Sequence, residues 1–207
     1  MVHRLSPVEL RVLGCLIEKQ RATPEQYPLT LNSLRLACNQ ATNREPVLEL
    51  DESEVRAAAQ QLGTKGYARL ATGPGSRTAK YRQLFQEALD LLPDEVSILA
   101  VLFLRGPQTV SELKTRTARL ANIEDVHTVL DRLDRKELVH LLPKQPGQRE
   151  ERWTHLLAEG PTGAGPIDEP EEAVPAGEPT TLEQRLARVE AQVEELTRRL
   201  AERGLLD

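Results

Sequence analysis

The chain has 207 residues, of which 39% are hydrophobic, 29% charged and only 3% aromatic. That suits a globular protein of one ordinary domain or two small ones, and it argues against an aromatic platform that stacks single-stranded bases. The net charge of −5 is uneven: residues 1–160 carry 22 Lys/Arg against 21 Asp/Glu and residues 161–207 carry 5 against 11, so the acidity belongs to the tail and says little about what the body binds.

The chain opens with MVHRLSPVEL, which has no apolar h-region of a secretory signal. No run approaches the roughly 18 apolar residues of a membrane helix, so a cytoplasmic protein without membrane contact is expected. Ser6, Pro7 and Glu9 form a capping box with proline at the first helical position, predicting a helix over residues 7 to about 20. Thr30 caps a second helix through Cys38. Cys15 and Cys38 both fall in apolar helical patterns and are expected to be buried, unpaired thiols. Asp51 and Glu54 open a third helix, with Val55, Ala58, Ala59 and Leu62 on its core face, and Gly66 ends it. YARLAT, the turn GPGS and AKYRQL then read as two strands joined by a loop.

The same order recurs. Pro93 and Glu95 start a helix as Pro7 and Glu9 do, Thr109 and Glu112 start a second, and Asn122 and Asp125 a third. ELVHLL, PKQPGQ and EERWTHLL supply a second hairpin. The offsets are 86 (Pro7 to Pro93), 79 (Thr30 to Thr109), 71 (Asp51 to Asn122) and 72 (Tyr81 to Trp153), changing only at loops. An internal duplication explains this, and three helices followed by a hairpin is the winged helix-turn-helix unit. The predicted fold is mainly α with small β-hairpins (α+β), two tandem winged helix-turn-helix domains over residues 1–88 and 89–157.

The tail reads differently. Residues 158–179 are rich in Pro, Gly and Glu and are expected to form a disordered linker. Thr180 and Glu183 cap a helix over residues 180–203. There Leu182, Leu186, Val189, Val193, Leu196 and Leu200 alternate in steps of four and three, a coiled-coil seam short enough to predict a weak homodimer.

YPLTLNSLRLACNQATNREPV, with the upstream LSPVELRVLGCLIEKQ and the downstream GPGSRTAKYR, resembles the YceH family of uncharacterised bacterial proteins. The resemblance covers roughly residues 3 to 157 and implies two winged-helix domains in tandem. It brings no biochemical activity, and the tail lies outside the shared motifs.

Catalysis and cofactors find little support. His3, His127, His140 and His155 lie in four different elements without metal spacing, CxxC is missing, and GPG lacks a downstream GK[ST]. No cofactor, metal or enzymatic activity is expected. In a helix-turn-helix the second helix of the pair enters the major groove and the wing touches backbone. Arg56, Gln60, Thr64 and Lys65 on the third helix, and Arg69, Arg77, Lys80 and Arg82 on an acid-free hairpin, are therefore the candidate nucleic-acid-binding residues.

Repeat two is more acidic, with Glu124, Asp125, Asp131 and Asp134 on its third helix, and suits a protein partner instead. Two readings follow: a DNA-binding or transcription-related protein acting on double-stranded DNA through domain 1, or a scaffold whose tandem winged helices bind a protein partner while the C-terminal helix oligomerises. The step from second to third helix is eight residues longer in repeat one, around NQATNREPV. Asn39, Gln40, Asn43 and Arg44 there either satisfy the backbone of an enlarged corner or form a recognition corner beside the reading helix.

Overall fold

The fold is that of a computed structural model, which describes residues 2–71, 79–144 and 146–159. The GPGS turn, Arg77, the linker beyond Glu159 and the heptad seam from Leu182 to Leu200 lie outside the described residues. Residues Met1–Gly165 form one compact unit that contains every described residue.

The helices begin where capping chemistry places them. In α1 (Pro7–Ala22) the Ser6 hydroxyl accepts from the Glu9 amide at 3.2 Å and the Glu9 carboxylate accepts from the Ser6 amide at 2.7 Å. Strand β1 (Leu29–Thr30) runs directly into α2 (Leu31–Cys38), whose orphan Ser33 amide donates to Thr30 Oγ1 at 3.2 Å. The third helix, α3 (Glu52–Thr64), buries Val55, Ala58, Ala59 and Leu62, the face expected from the sequence. Strands β2 (Ala68–Ala71) and β3 (Lys80–Gln83) follow, then one short turn of helix, α4 (Phe85–Ala88).

Repeat two has α5 (Pro93–Arg105), α6 (Val110–Thr117), α7 (Val126–Arg135), β4 (Val139–Leu142) and β5 (Arg152–His155). Glu95 accepts from the Leu92 amide at 2.8 Å, and Thr109 and Glu112 close a reciprocal cap at 3.2 and 2.9 Å. One expected cap is corrected: α7 is capped by Asp125 alone, whose carboxylate accepts from the His127 amide at 2.9 Å, and Asn122 stays in the preceding irregular segment. Asp125 wins because it sits next to the first residue whose side chain faces the core, Val126.

Among the described residues the architecture is mixed α and β, with seven α-helices and two small antiparallel sheets. The first sheet runs β1-β3-β2 and the second β4-β5. Strand β1 had no signal in the sequence, since two residues cannot show a period of two. Its pairing of Leu29 with Tyr81 has a counterpart in a single bridge, where Gln108 and Trp153 exchange backbone hydrogen bonds of 3.0 and 2.8 Å. Those pairs are related by the same offsets as the sequence repeat, so the duplication extends to a strand that the sequence hides.

The two repeats share a continuous core. Helices α1 and α5 approach so closely at Gly14 that a Cβ there would meet Leu104 at 2.9 Å and Phe103 at 3.2 Å. Edge-to-face rings link the halves, with Tyr67 to Phe85 at 5.0 Å, Phe85 to Phe103 at 5.8 Å and Phe103 to His155 at 5.0 Å. The ends also meet: Leu5 donates to the Leu157 carbonyl at 2.7 Å and Glu159 donates to the Leu5 carbonyl at 2.8 Å. Ala158 and Glu159, placed by composition at the start of the linker, therefore belong to the body.

Candidate nucleic-acid interface

The exposed face of α3 carries Arg56, Gln60 and Thr64, with the core residues on the other side. Arg56 meets Glu52 only loosely, at 3.9 Å with both side chains more than half exposed, an arrangement worth little. Thr64 donates its hydroxyl to the Gln60 carbonyl at 3.3 Å. The acids at the start of α3 are occupied locally: Asp51 accepts from the Ser53 hydroxyl at 2.6 Å and the Glu54 amide at 2.9 Å. Those bonds hold its carboxyl below the ordinary carboxylate range.

A cleft of about 370 Å³ opens beside this helix, lined by Thr30, Leu31 and Asn32 at the start of α2, Arg56 of α3, and Ala79 and Tyr81 at the hairpin. The hairpin cations are arranged by strand register. Arg69 lies opposite Arg82 and Lys80 opposite Ala71, while Leu70 lies opposite Tyr81. Because alternate residues point to opposite faces, Arg69, Lys80 and Arg82 share one face of the hairpin and Tyr81 lines the cleft on the other. Arg82 is tied to Glu87 at 2.8 Å. Among the described residues Arg69 and Lys80 have no ion-pair partner.

Two expectations are corrected. Lys65 does not present its charge outward: its Nζ donates to Glu9 at 2.7 and 2.8 Å and to the Arg4 carbonyl at 2.9 Å. Lys65 follows the last turn of α3, where the chain bends back toward α1, so its side chain is drawn to the buried Glu9 carboxylate.

Arg44 cannot serve a recognition surface either, because it is buried. Its Nε donates to the Ala37 carbonyl at 3.0 Å, and its Nη2 donates to Glu18 at 2.6 Å and to Gln40 at 3.0 Å. Asn39 donates to the Leu50 carbonyl at 2.8 Å and accepts from the Leu50 amide at 2.9 Å. Asn43, at a positive φ of 63°, accepts from Arg105 of repeat two. Glu45 donates its amide to the Leu104 carbonyl at 2.8 Å. The enlarged corner is thus a clamp between the repeats, its polar side chains satisfying backbone groups that a longer turn would orphan.

Sequence reasoning missed the inner partners of this clamp. Arg11 is buried and donates to the Cys38 carbonyl at 3.0 Å and the Pro46 carbonyl at 2.5 Å. Glu18 is buried and receives Arg44 and, at 2.5 Å, Arg119 of repeat two. The available signal was two charged residues inside the apolar helix RVLGCLIE, since buried charges require partners. Cys15 and Cys38 are buried and free, as expected. Contact with Cys15 and burial push the Cys38 thiol well up, away from the thiolate that nucleophilic chemistry needs.

Repeat two holds the equivalent cleft, larger at about 740 Å³. By the offsets of the duplication Leu31 becomes Val110, Asn32 becomes Ser111, Arg56 becomes His127, Ala79 becomes Glu151 and Tyr81 becomes Trp153, and all five replacements line it. Lys144, Arg149 and Glu150 add mixed charge to its walls. The same construction therefore presents an unbalanced cation beside an aromatic ring in one repeat and a charge-balanced surface beside an aromatic ring in the other. His140 is on β4, and His155 is packed against Phe103, so the four histidines do not converge.

Among the described residues no helix is long and apolar enough to cross a membrane. A family described as a protein of unknown function, DUF480, matches residues 5–148. The chain is 52% identical over 162 residues to a UPF0502 protein of Geobacter sulfurreducens, covering 76% of this chain and 74% of that one. It is 46% identical over 197 residues to a UPF0502 protein of Koribacter versatilis, covering 93% and 90%. A UPF0502 protein of Vibrio vulnificus is 43% identical over 212 residues, covering 98% and 96%. The family model stays within the residues 3–157 expected from the motifs, while the last two matches run beyond the body into the tail.

Proposed function

The chain belongs to the uncharacterised YceH-like bacterial family described as DUF480, and from that premise we propose a non-enzymatic, cytoplasmic protein of two tandem winged helix-turn-helix domains, residues 1–88 and 89–157, that binds duplex DNA through the first. The observation that carries this reading is the first cleft. It places Arg56 of the reading helix beside the amide end of α2 and the base of the hairpin, three elements that a winged helix brings to a duplex. Arg69 and Lys80 add cationic charge on the other hairpin face, and Arg77 falls between the two strands in the sequence.

The test is binding of the full chain to mixed-sequence duplex across a salt series. Affinity should fall steeply with salt, and Arg56→Ala and Lys80→Ala should each weaken binding and lower the salt slope by about one. No retention at low salt would remove the duplex reading.

A second reading rests on the second cleft, where Trp153 and the Lys144/Arg149/Glu150/Glu151 mixture suit a protein partner better than phosphate. In that case Trp153→Ala abolishes partner capture while Arg56→Ala does not. On either reading the heptad seam would pair two copies weakly. The solution masses of the full chain and of a chain ending at Pro179 test this: identical monomer masses would end it.

A further inference from the structure

A third cavity, of about 370 Å³, lies where the repeats meet. Arg105, Arg116 and Arg119 line it with Glu18, Asn43, Thr115 and the apolar walls Val101, Leu104 and Leu120. The local charge does not balance. Glu18 is shared by Arg44 at 2.6 Å and Arg119 at 2.5 Å. Glu112 is held by Arg152 at 2.9 Å and touches Arg116 only at 3.7 Å. Among the described residues Arg105 has no carboxylate partner; it donates to Asn43. Four guanidiniums thus share two carboxylates, and Arg105 pairs with neither. Burial, then the nearby charges of Arg116, Arg119 and Arg44, hold the Arg105 guanidinium below its ordinary value.

The fold does not need this charge. The offsets of the duplication put Lys19, Ala37 and Gln40 at the corresponding places of repeat one, and that repeat builds the same helices without an arginine cluster. Like charges gathered at a cost to stability, in a walled cavity, mark a site built for an anion. Guanidinium forks match phosphate oxygens in pairs, and the buried Val101, Leu104 and Leu120 give them an apolar backing.

We propose that this cavity binds a small phosphorylated anion, with Arg105, Arg116 and Arg119 as its ligands. The site goes beyond the duplex reading and does not depend on it, since Arg56 and the hairpin take no part. Because Glu18 and Asn43 come from repeat one and the three arginines from repeat two, an anion bound here braces one repeat against the other.

The experiment is calorimetric titration of the full chain with inorganic pyrophosphate, together with its thermal midpoint, in parallel with duplex binding. Pyrophosphate should bind with a Kd below about 1 mM and raise the midpoint by linkage. Arg105→Gln and Arg116→Gln should each weaken it roughly tenfold or more, the loss of one charge-assisted hydrogen bond. Arg116→Gln should keep or raise the midpoint of the anion-free protein, because it relieves repulsion, whereas Arg105→Gln also gives up the bond to Asn43. Arg56→Ala should leave pyrophosphate binding unchanged.

Absence of heat and of any midpoint shift up to about 10 mM pyrophosphate overturns the site. So does unaltered affinity in both glutamine variants, or an equal response to sulfate that Arg56→Ala removes. If pyrophosphate is ignored while Arg105→Gln and Arg116→Gln lower duplex affinity, the cluster is a duplex phosphate contact and the small-anion site falls.

Discussion

Lys65 and Glu9 form a contact that the protein builds twice. Lys65 Nζ lies 2.7 Å from Glu9 and donates to the Arg4 carbonyl at 2.9 Å; one repeat later Lys136 Nζ lies 2.8 Å from Glu95 and donates to the Asp90 carbonyl at 3.1 Å. Each lysine follows the third helix of its repeat and each glutamate is the buried N3 residue of the first. Lys65→Ala is therefore expected to destabilise by about 3 kcal/mol, because it strands a buried carboxylate. Urea unfolding measures this. A loss of DNA affinity with unchanged stability would instead return Lys65 to the interface.

The corner clamp predicts a second stability effect. Arg44→Ala removes bonds to Glu18, Gln40 and the Ala37 carbonyl, and a loss of about 3–5 kcal/mol is expected. Arg44→Lys should recover only part of it, since an ammonium cannot reproduce the guanidinium fork. Full recovery by lysine would show that charge alone suffices there.

At the α1–α5 crossing, Gly14→Val should cost about 2–3 kcal/mol, because a branched Cβ enters space held by Leu104 at 2.9 Å and Phe103 at 3.2 Å. The better helix propensity offsets less than about 1 kcal/mol of that cost. Differential scanning calorimetry should still show one transition at a lower midpoint, as a shared core requires. Two separated transitions would mean that the repeats unfold independently.

His155 adds a pH dependence. Burial lowers its pKa from 6.5 to about 4, and its Nδ1 accepts from the Leu157 amide at 3.3 Å, as a neutral ring must. The unfolded chain takes up a proton below about 6.5 and the folded one does not until about 4, so stability is full above that window and falls as pH drops through it. The loss should be about 1–3 kcal/mol, and His155→Phe should flatten it. An unchanged pH profile in that variant would assign the acid lability elsewhere.

Much of the architecture was legible because its signals are local. Ser6, Thr30, Asp51 and Thr109 each cap a helix within three residues of themselves, and the spacing of Val55, Ala58, Ala59 and Leu62 marks one buried face. The duplication was legible because it compares the chain with itself. The two-residue strand β1 was not, since its strand pairing is with β3, some fifty residues away. Arg56 and Gln60 could be placed on the open face of α3 from periodicity, but the positions of Lys65 and Arg44 could not.

The amino-acid order by itself therefore determined the three main helices of each repeat, most of their caps, the hairpins, the burial of Cys15 and Cys38 and the repeat that relates the halves. Only the tertiary structure decided which charges are spent and which are left over. Glu9 and Glu18 are buried carboxylates whose partners arrive from distant parts of the chain, and desolvation makes each of them claim whichever cation the fold brings nearest. That selection takes Lys65 and Arg44 out of any interface. It leaves Arg56, Arg69 and Lys80 outside and gathers Arg105, Arg116 and Arg119 where the repeats join.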